Sequence, residues 1–336
     1  MMVLDIKGMK IAGVCACLPP CSEDNLARCV ALYGDEKKAA SVVGATGIRS
    51  RRVASAGVSS LDLCVAAAET LLSGAGVARD EIGAVICVTF TPERQMPCNA
   101  CQAQRRLELP GDVVAFDIGL ACSGWPYGLY VAATLANATG KKVLLLDGDV
   151  QTAFMDSADL ATVPVLADAG TATLVEPVAV SGCEPWRFSF MTDGAKGDAL
   201  SLPSGGKIEM DGLGVFKFVT VDALKFIQGF MAEIECATEN IDAFVPHQAN
   251  VFMVEQIAKK LGFARQKLWI SGDVFGNSAS ASIPVTIAYR GRGEDGAGEE
   301  RRLLVAGFGG GLSAAVGCVG LPNGCFLKVF DYGGRA

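Results

Sequence analysis

Residues 115–130 read AFDIGLACSGWPYGLY, and this stretch decides the fold. The run Val113, Val114, Ala115, Phe116 and Ile118 has β texture. It ends in small residues, Cys122 follows, and Leu129 to Ala138 has the composition of a buried helix. A strand turning directly into a helix is the building unit of an α/β protein. A cysteine at that turn sits near free backbone N–H groups and the positive end of a helix dipole. Both favour thiolate over thiol, so Cys122 is a candidate nucleophile. The plainer reading is a buried structural cysteine, one of thirteen in the chain.

A chain of 336 residues suggests two domains, or one large domain in two parts, with a sizeable core. It is 51% apolar and 19% charged, as expected of a globular protein. Lysine and arginine number 29 against 36 acidic residues, a net charge of −7 with no basic run, which argues against nucleic-acid binding. Thirteen cysteines is an odd number in a chain too long to need a disulfide scaffold. Lys7 and Lys10 precede the short apolar run IAGVCACL, but Pro19 and Pro20 follow without a small-residue cleavage pattern, so that run reads as the first strand. No uninterrupted apolar stretch reaches the length of a membrane span. The expectation is a cytoplasmic protein with reduced cysteines and no membrane partner.

Strands alternate with helices along the chain, which predicts parallel pairing with helices on both faces of a sheet. Residues 22–45 read as helix, 81–90 and 141–149 as strands, and 163–176 as strand-like around a glycine turn. Arg49, Arg51 and Arg52 form a basic turn, read as solvated surface or as a site for an anionic carrier. CNAC places Cys98 and Cys101 in a loop with redox or zinc spacing, but no second pair lies nearby to complete four ligands. Residues 178–208 change texture, with Gly, Pro, Ser and Asp enriched, and the α/β grammar then restarts. Residues 215–234 read as one long helix, 241–250 as a strand ending in polar residues, and 251–262 as a helix with a glycine stop. Strand, loop and helix are expected over 267–290, a solvated turn over 293–300, and two strands around a triple glycine over 301–321. The expectation is a duplicated architecture, with residues 1–177 carrying the cysteine and 178–336 a second half.

The chain has one histidine, His247, at the end of the apolar run IDAFVPH, where active-site residues of α/β folds gather. It is the one histidine able to serve a nucleophilic cysteine, although a lone histidine is more often structural. Asn277, in FGNSASAS, can donate hydrogen bonds to a carbonyl, or can serve as a turn or cap residue. Gly309, Gly310 and Gly311 permit close backbone approach and could offer N–H groups to an oxyanion. They do not match a dinucleotide fingerprint.

ACSG, VPHQAN, GNSASASIP and GFGGG, in this order and spacing, resemble the Cys-His-Asn enzymes of the thiolase superfamily, and 3-oxoacyl-[acyl-carrier-protein] synthase III in particular. The likeness runs over nearly the whole chain, including TGIRSRR, LADAGTA and VFKF. It implies a five-layer αβαβα fold of two duplicated halves, a homodimer, and acyltransfer without metal or organic cofactor. By the same likeness, Cys122 takes an acyl group from a thioester, and the N–H groups of Cys122 and Gly310 form the oxyanion hole. His247 and Asn277 then hold the malonyl thioester of acyl-carrier protein through decarboxylative condensation. Met96, Trp125 and Phe308 are implied at the acyl pocket, and Lys217, Lys259 and Lys260 as charges for the carrier protein.

The sequence departs from the family pattern where a tryptophan and two arginines usually grip the coenzyme A nucleotide: those positions read Ser41, Ala45 and Leu160. A usual docking arginine is Phe252. The alternatives are therefore an acyltransferase of a secondary pathway and a non-catalytic partner of a heterodimer.

Overall fold

The computed structural model describes residues 1–179, 184–292 and 300–334. Two mixed sheets stack with helices outside and between them. The first has six strands in the spatial order Phe326–Asp331, Met9–Leu18, Ala169–Pro177, Lys142–Asp149, Ile82–Val88 and Val114–Ile118. The second has five: Leu4–Ile6, Trp186–Thr192, Ser313–Pro322, Glu300–Gly309 and Ala243–Pro246.

The two sheets repeat one plan. In each, the first long strand of its half pairs antiparallel with the last, which pairs antiparallel with the strand before it, which pairs parallel with the second. The termini cross between these halves. Leu4–Ile6 pairs with Trp186–Phe188 in the second sheet, and Phe326–Asp331 pairs with Gly13–Leu18 in the first. Division at 177/178 thus separates each terminal strand from the sheet it completes, and residues 180–183 at that junction lie outside those described.

Alternation along the central strands explains the layering. Val143 and Leu145 face one core, with Leu144 and Leu146 in another, so both faces of the sheet are apolar and both must be covered. The helix Ser60–Ala75 covers the outer face of the first sheet. Helices Gly124–Thr139 and Ser282–Arg290 lie between the sheets, in a core shared by Trp125, Leu129, Ile283, Val14, Val245 and Val305. Helices Leu224–Glu233 and Val251–Leu261 cover the second sheet from outside. Five layers result.

Several local expectations change. Residues 22–45 hold a short strand, Ser22–Asp24, and two helices, Asn25–Tyr33 and Glu36–Thr46, because Gly34 turns left-handed (φ 65°) and Asp35 caps the second helix. Residues 215–234 are interrupted by a widened π-helical turn over Phe218–Ala223. No strand forms at Leu268, which makes one isolated bridge to Phe244. The turn expected over 293–300 lies almost wholly outside the described residues. The Arg49–Arg52 cluster is not an open cationic cradle. Arg51 is 1% exposed, ion-paired with Glu23 and bonded to Asn25 Oδ1 (3.2 Å), while Arg49 pairs with Asp273 (2.8 Å) and Arg52 with Asp331 (2.9 Å). No helix among the described residues is long and apolar enough to cross a membrane.

Candidate active site

Cys122 lies in the turn between strand Val114–Ile118 and helix Gly124–Thr139, at a cavity of about 610 Å³. The same cavity is lined by His247, Asn277, Phe308, Gly309, Gly310 and Gly311, so the separate sequence motifs converge on one space.

The glycines make the convergence possible. A Cβ on Gly309 would lie 2.7 Å from Cys122 Cβ and 2.8 Å from its sulfur. Gly309 also has φ 156°, a conformation that L side chains rarely adopt. The turn beyond it is tied to the turn that holds Cys122, because Ser123 Oγ and Ser313 Oγ are 2.7 Å apart and Ser313 Oγ donates to Gly310 O (2.8 Å). The backbone N–H groups of Gly310 and Cys122 lie beside the Cys122 sulfur and favour its charged form.

Cys122 is not a resting thiolate. Burial, with the nearby Asp149 and Asp147 carboxyls, pushes its thiol up to about 12 against the opposing pull of the two N–H groups. The expectation from the helix N-terminus is therefore corrected: desolvation outweighs it. His247 is 1% exposed, and burial lowers it to about 4, so the imidazole is neutral. Its Nδ1 lies 2.9 Å from Ala279 O and 2.9 Å from Ser282 Oγ. A carbonyl oxygen can only accept, so Nδ1 carries the proton and Nε2 keeps a lone pair.

Asn277 Oδ1 accepts the N–H of Ala279 (3.0 Å), and Nδ2 donates to Ala249 O (3.3 Å), with one amide hydrogen left over. Its carbonyl accepts from Gln151 Nε2 (2.6 Å) and Ala167 N (2.8 Å). Ala279 is held at φ 52°, so the loop carrying Asn277 and fixing His247 is backbone-strained.

Phe308 meets the His247 ring edge-on at 5.7 Å and lines the cavity. Two other expected pocket residues do not. Trp125 is 0% exposed, in the core between the sheets, and its Nε1–H donates to Thr173 Oγ1 (3.2 Å). It points away because the helix leaving Cys122 turns its first apolar side chain into the sheet interface. Met96 is 86% exposed on a loop outside the cavity lining. Ser41 and Ala45 are exposed on the helix that ends at Thr46, and Leu160 beside Ala161; Thr46 and Ala161 both line the cavity. Lys217 is exposed, next to cavity residue Phe216. Lys259 and Lys260 occupy the last turn of a helix whose first turn meets the cavity at Asn250 and Met253, about 14 Å away along its axis.

Sequence reasoning missed two acids. Asp147 and Asp149 are fully buried at the end of strand Lys142–Asp149. Asp147 accepts from Ser280 Oγ (2.6 Å). Asp149 Oδ1 accepts from Thr89 Oγ1, Thr91 Oγ1 and the N–H groups of Phe90 and Thr91, at 2.8–3.0 Å. Burial raises both, Asp149 to about 7. Two aspartates at alternate positions directly after the apolar run Val143–Leu146 were the available signal.

Two sheets of matching strand order, with a cysteine, a histidine, an asparagine and a glycine turn meeting between their halves, define a thiolase-type acyltransferase. Residues 116–194 match the family model for 3-oxoacyl-[acyl-carrier-protein (ACP)] synthase III, and residues 231–320 match the model for its C-terminal part. The chain is 31% identical over 290 residues to beta-ketoacyl-[acyl-carrier-protein] synthase III of Natranaerobius thermophilus, covering 81% of this chain and 88% of that one. It is 31% identical to an acetoacetyl CoA synthase of a Streptomyces species, covering 80% of this chain and 86% of that one. A solved 3-oxoacyl-(acyl-carrier protein) synthase of Burkholderia xenovorans superposes with a TM-score of 0.92 at 31% identity, covering 98% of this chain and 99% of that one. The protein belongs to the 3-oxoacyl-[acyl-carrier-protein] synthase III family and is an acyl-condensing enzyme.

Proposed function

We propose that this enzyme transfers an acyl group from a thioester to Cys122 and then condenses it with malonyl-acyl-carrier protein, releasing carbon dioxide. The observation that carries this reading is the convergence of Cys122, His247, Asn277 and the Gly310 N–H on one cavity. Both resting partners are neutral, so the cysteine loses its proton as it attacks, and His247 Nε2 receives it. The tetrahedral oxyanion is held by the N–H groups of Cys122 and Gly310, and the donor's thiolate leaves. The imidazolium then offers Nε2–H, beside the spare Asn277 amide hydrogen, to the malonyl thioester carbonyl. As carbon dioxide departs, the carbanion attacks the acyl carbon, and the Cys122 sulfur leaves and regains its proton. Loss of one oxyanion donor in a site of this kind costs about 3–4 kcal/mol.

The acyl donor arrives on a carrier protein. In support, none of the described residues lining the cavity is Asp, Glu, Lys or Arg, and the positions that grip a nucleotide in the family pattern are Ser41, Ala45 and Leu160. Leu160, Leu213, Phe216 and Phe252 are exposed and lie in or beside the segments that line the cavity, an apolar rim that fits a specialised acyl selection better than acetyl-CoA priming. The enzyme works as a cytoplasmic homodimer. The outer edge of strand Val114–Ile118 ends its sheet and leads directly to Cys122, so pairing there would brace the nucleophile. The twelve described cysteines are all free, in keeping with a reducing compartment.

Intact-protein mass after incubation with acyl-CoAs and acyl-carrier-protein thioesters tests this reading. One added acyl group, taken from carrier protein and absent in Cys122→Ala, is expected. No loading from any donor would leave the non-catalytic partner reading in place.

A further inference from the structure

Cys98 and Cys101 take no part in the chemistry above, yet their sulfurs lie 3.5 Å apart. Cys98 occupies the N-cap of helix Asn99–Arg106, and Cys101 is exposed in its first turn. Residues three apart at a helix start share one face. Among the described residues, no group of three or more His, Cys, Asp or Glu is placed to hold a metal ion. The chemistry open to the pair is therefore that of a dithiol.

We propose that Cys98 and Cys101 form a reversible dithiol–disulfide site that takes a low-molecular-weight disulfide as oxidant, and that its state acts on the acyl cavity. The exposed Cys101 thiolate attacks one sulfur of the incoming disulfide and releases the first thiol. Cys98, as thiolate, then attacks the Cys101 sulfur of the mixed disulfide and releases the second. Two electrons pass from the pair to the oxidant, and the two cysteine protons end on the released thiols.

The helix start is fastened to the cavity wall on two sides. Asp117 accepts the N–H groups of Asn99 (2.8 Å) and Ala100 (2.7 Å), and its strand runs on into Gly119, Leu120 and Ala121, which line the cavity. Asn99 Oδ1 accepts the N–H of Glu93 (3.1 Å), in the loop that leaves cavity residue Phe90. Bonding draws Cys98 toward Cys101, and Cys98 is the joint between that loop and the helix. The oxidised form thus stiffens the loop that runs from the cavity wall at Phe90 to the helix.

The test treats the full-length enzyme with oxidised or reduced glutathione, quenches in acid, alkylates with N-ethylmaleimide and maps the peptides by mass. After oxidant, the segment holding residues 98 and 101 is expected unalkylated and lighter by the two thiol hydrogens, with dithiothreitol reversing the change. Acyl loading of Cys122 is expected to slow about threefold in the oxidised enzyme, within the range of coupling carried between two sites. The slowing should be absent in both Cys98→Ser and Cys101→Ser. Alkylation of both cysteines after oxidant overturns the proposal, as does equal loading by oxidised and reduced enzyme. The loading arm rests on the condensing-enzyme reading; the mapping arm needs no acyl donor, so the two failures are distinguishable.

Discussion

Adjacent glycines at the nucleophile should differ sharply when each is replaced by alanine. At Gly309, the new Cβ would stand 2.7 Å from Cys122 Cβ and 2.8 Å from its sulfur, where ordinary contact begins at 3.4 Å. The shortfall of about 0.6–0.7 Å cannot be relieved by a flexible side-chain tip, since one neighbour is a Cβ and the other the reacting sulfur. The strand cannot retreat freely, because Gly309 pairs with Ser313 and Ala306 with Val316 in the same ladder. Overpacking costs about 1–3 kcal/mol and the φ of Gly309 about as much again, so stability should fall by about 2–6 kcal/mol. A displacement approaching 1 Å at the reacting atom slows chemistry on the order of 100-fold. At Gly310, by contrast, the nearest atoms to a new Cβ are Ala121 Cβ at 3.5 Å and Leu200 Cδ2 at 3.9 Å. Gly310→Ala keeps the donating N–H and should load at close to the wild-type rate. Acyl loading by intact mass, with urea unfolding of the same samples, reads both quantities. Wild-type loading and stability in Gly309→Ala would refute the close-approach argument, as would equal damage at both positions.

Three further outcomes are expected. His247→Ala and Asn277→Ala should each lower decarboxylative condensation by about 100-fold or more, with the acyl-Cys122 form still accumulating in Asn277→Ala; measurement of carbon dioxide release beside intact mass separates the half-reactions. Asp149, raised to about 7, is protonated in the folded protein between the unfolded carboxyl value and 7, so its contribution to stability is present at low pH and lost as pH rises through 7. Asp149→Asn imitates the protonated form, and should gain on wild type by up to about 4 kcal/mol between pH 4 and 9 in urea unfolding; a difference that stays constant with pH contradicts the buried-acid account. Trp125→Phe should cost about 1–2 kcal/mol through the lost Nε1–H to Thr173 while leaving the relative loading of short and long acyl groups unchanged; a shifted acyl preference would return Trp125 to the pocket.

How much was legible in the sequence varies by residue. The apolar run ending at Ile118, the polar stop after Pro246 and the triple glycine announced themselves locally, because strand periodicity and backbone freedom are near-neighbour properties. The lone histidine marked itself by its rarity. Trp125 was misplaced because its distance in sequence from Cys122 says nothing about which face of the helix meets the sheets. Cys122's protonation was misjudged because a helix N-terminus is visible in sequence, whereas the depth of burial and the carboxyls of Asp147 and Asp149 beneath it are not. Arg51, in an apparently basic surface turn, became a buried strut only once Glu23 and Leu166 were brought beside it.

The amino-acid sequence by itself determined the α/β class, the doubled grammar, and the cysteine, histidine and asparagine proposed to carry the chemistry, since each rests on residue type and spacing. Tertiary structure alone decided that the terminal strands cross between the halves, and that Gly309 must be bare for Cys122 to fit. It also decided that burial keeps Cys122 and His247 uncharged. Contact, desolvation and strand exchange depend on residues far apart in the chain, and no local pattern encodes the distance between them.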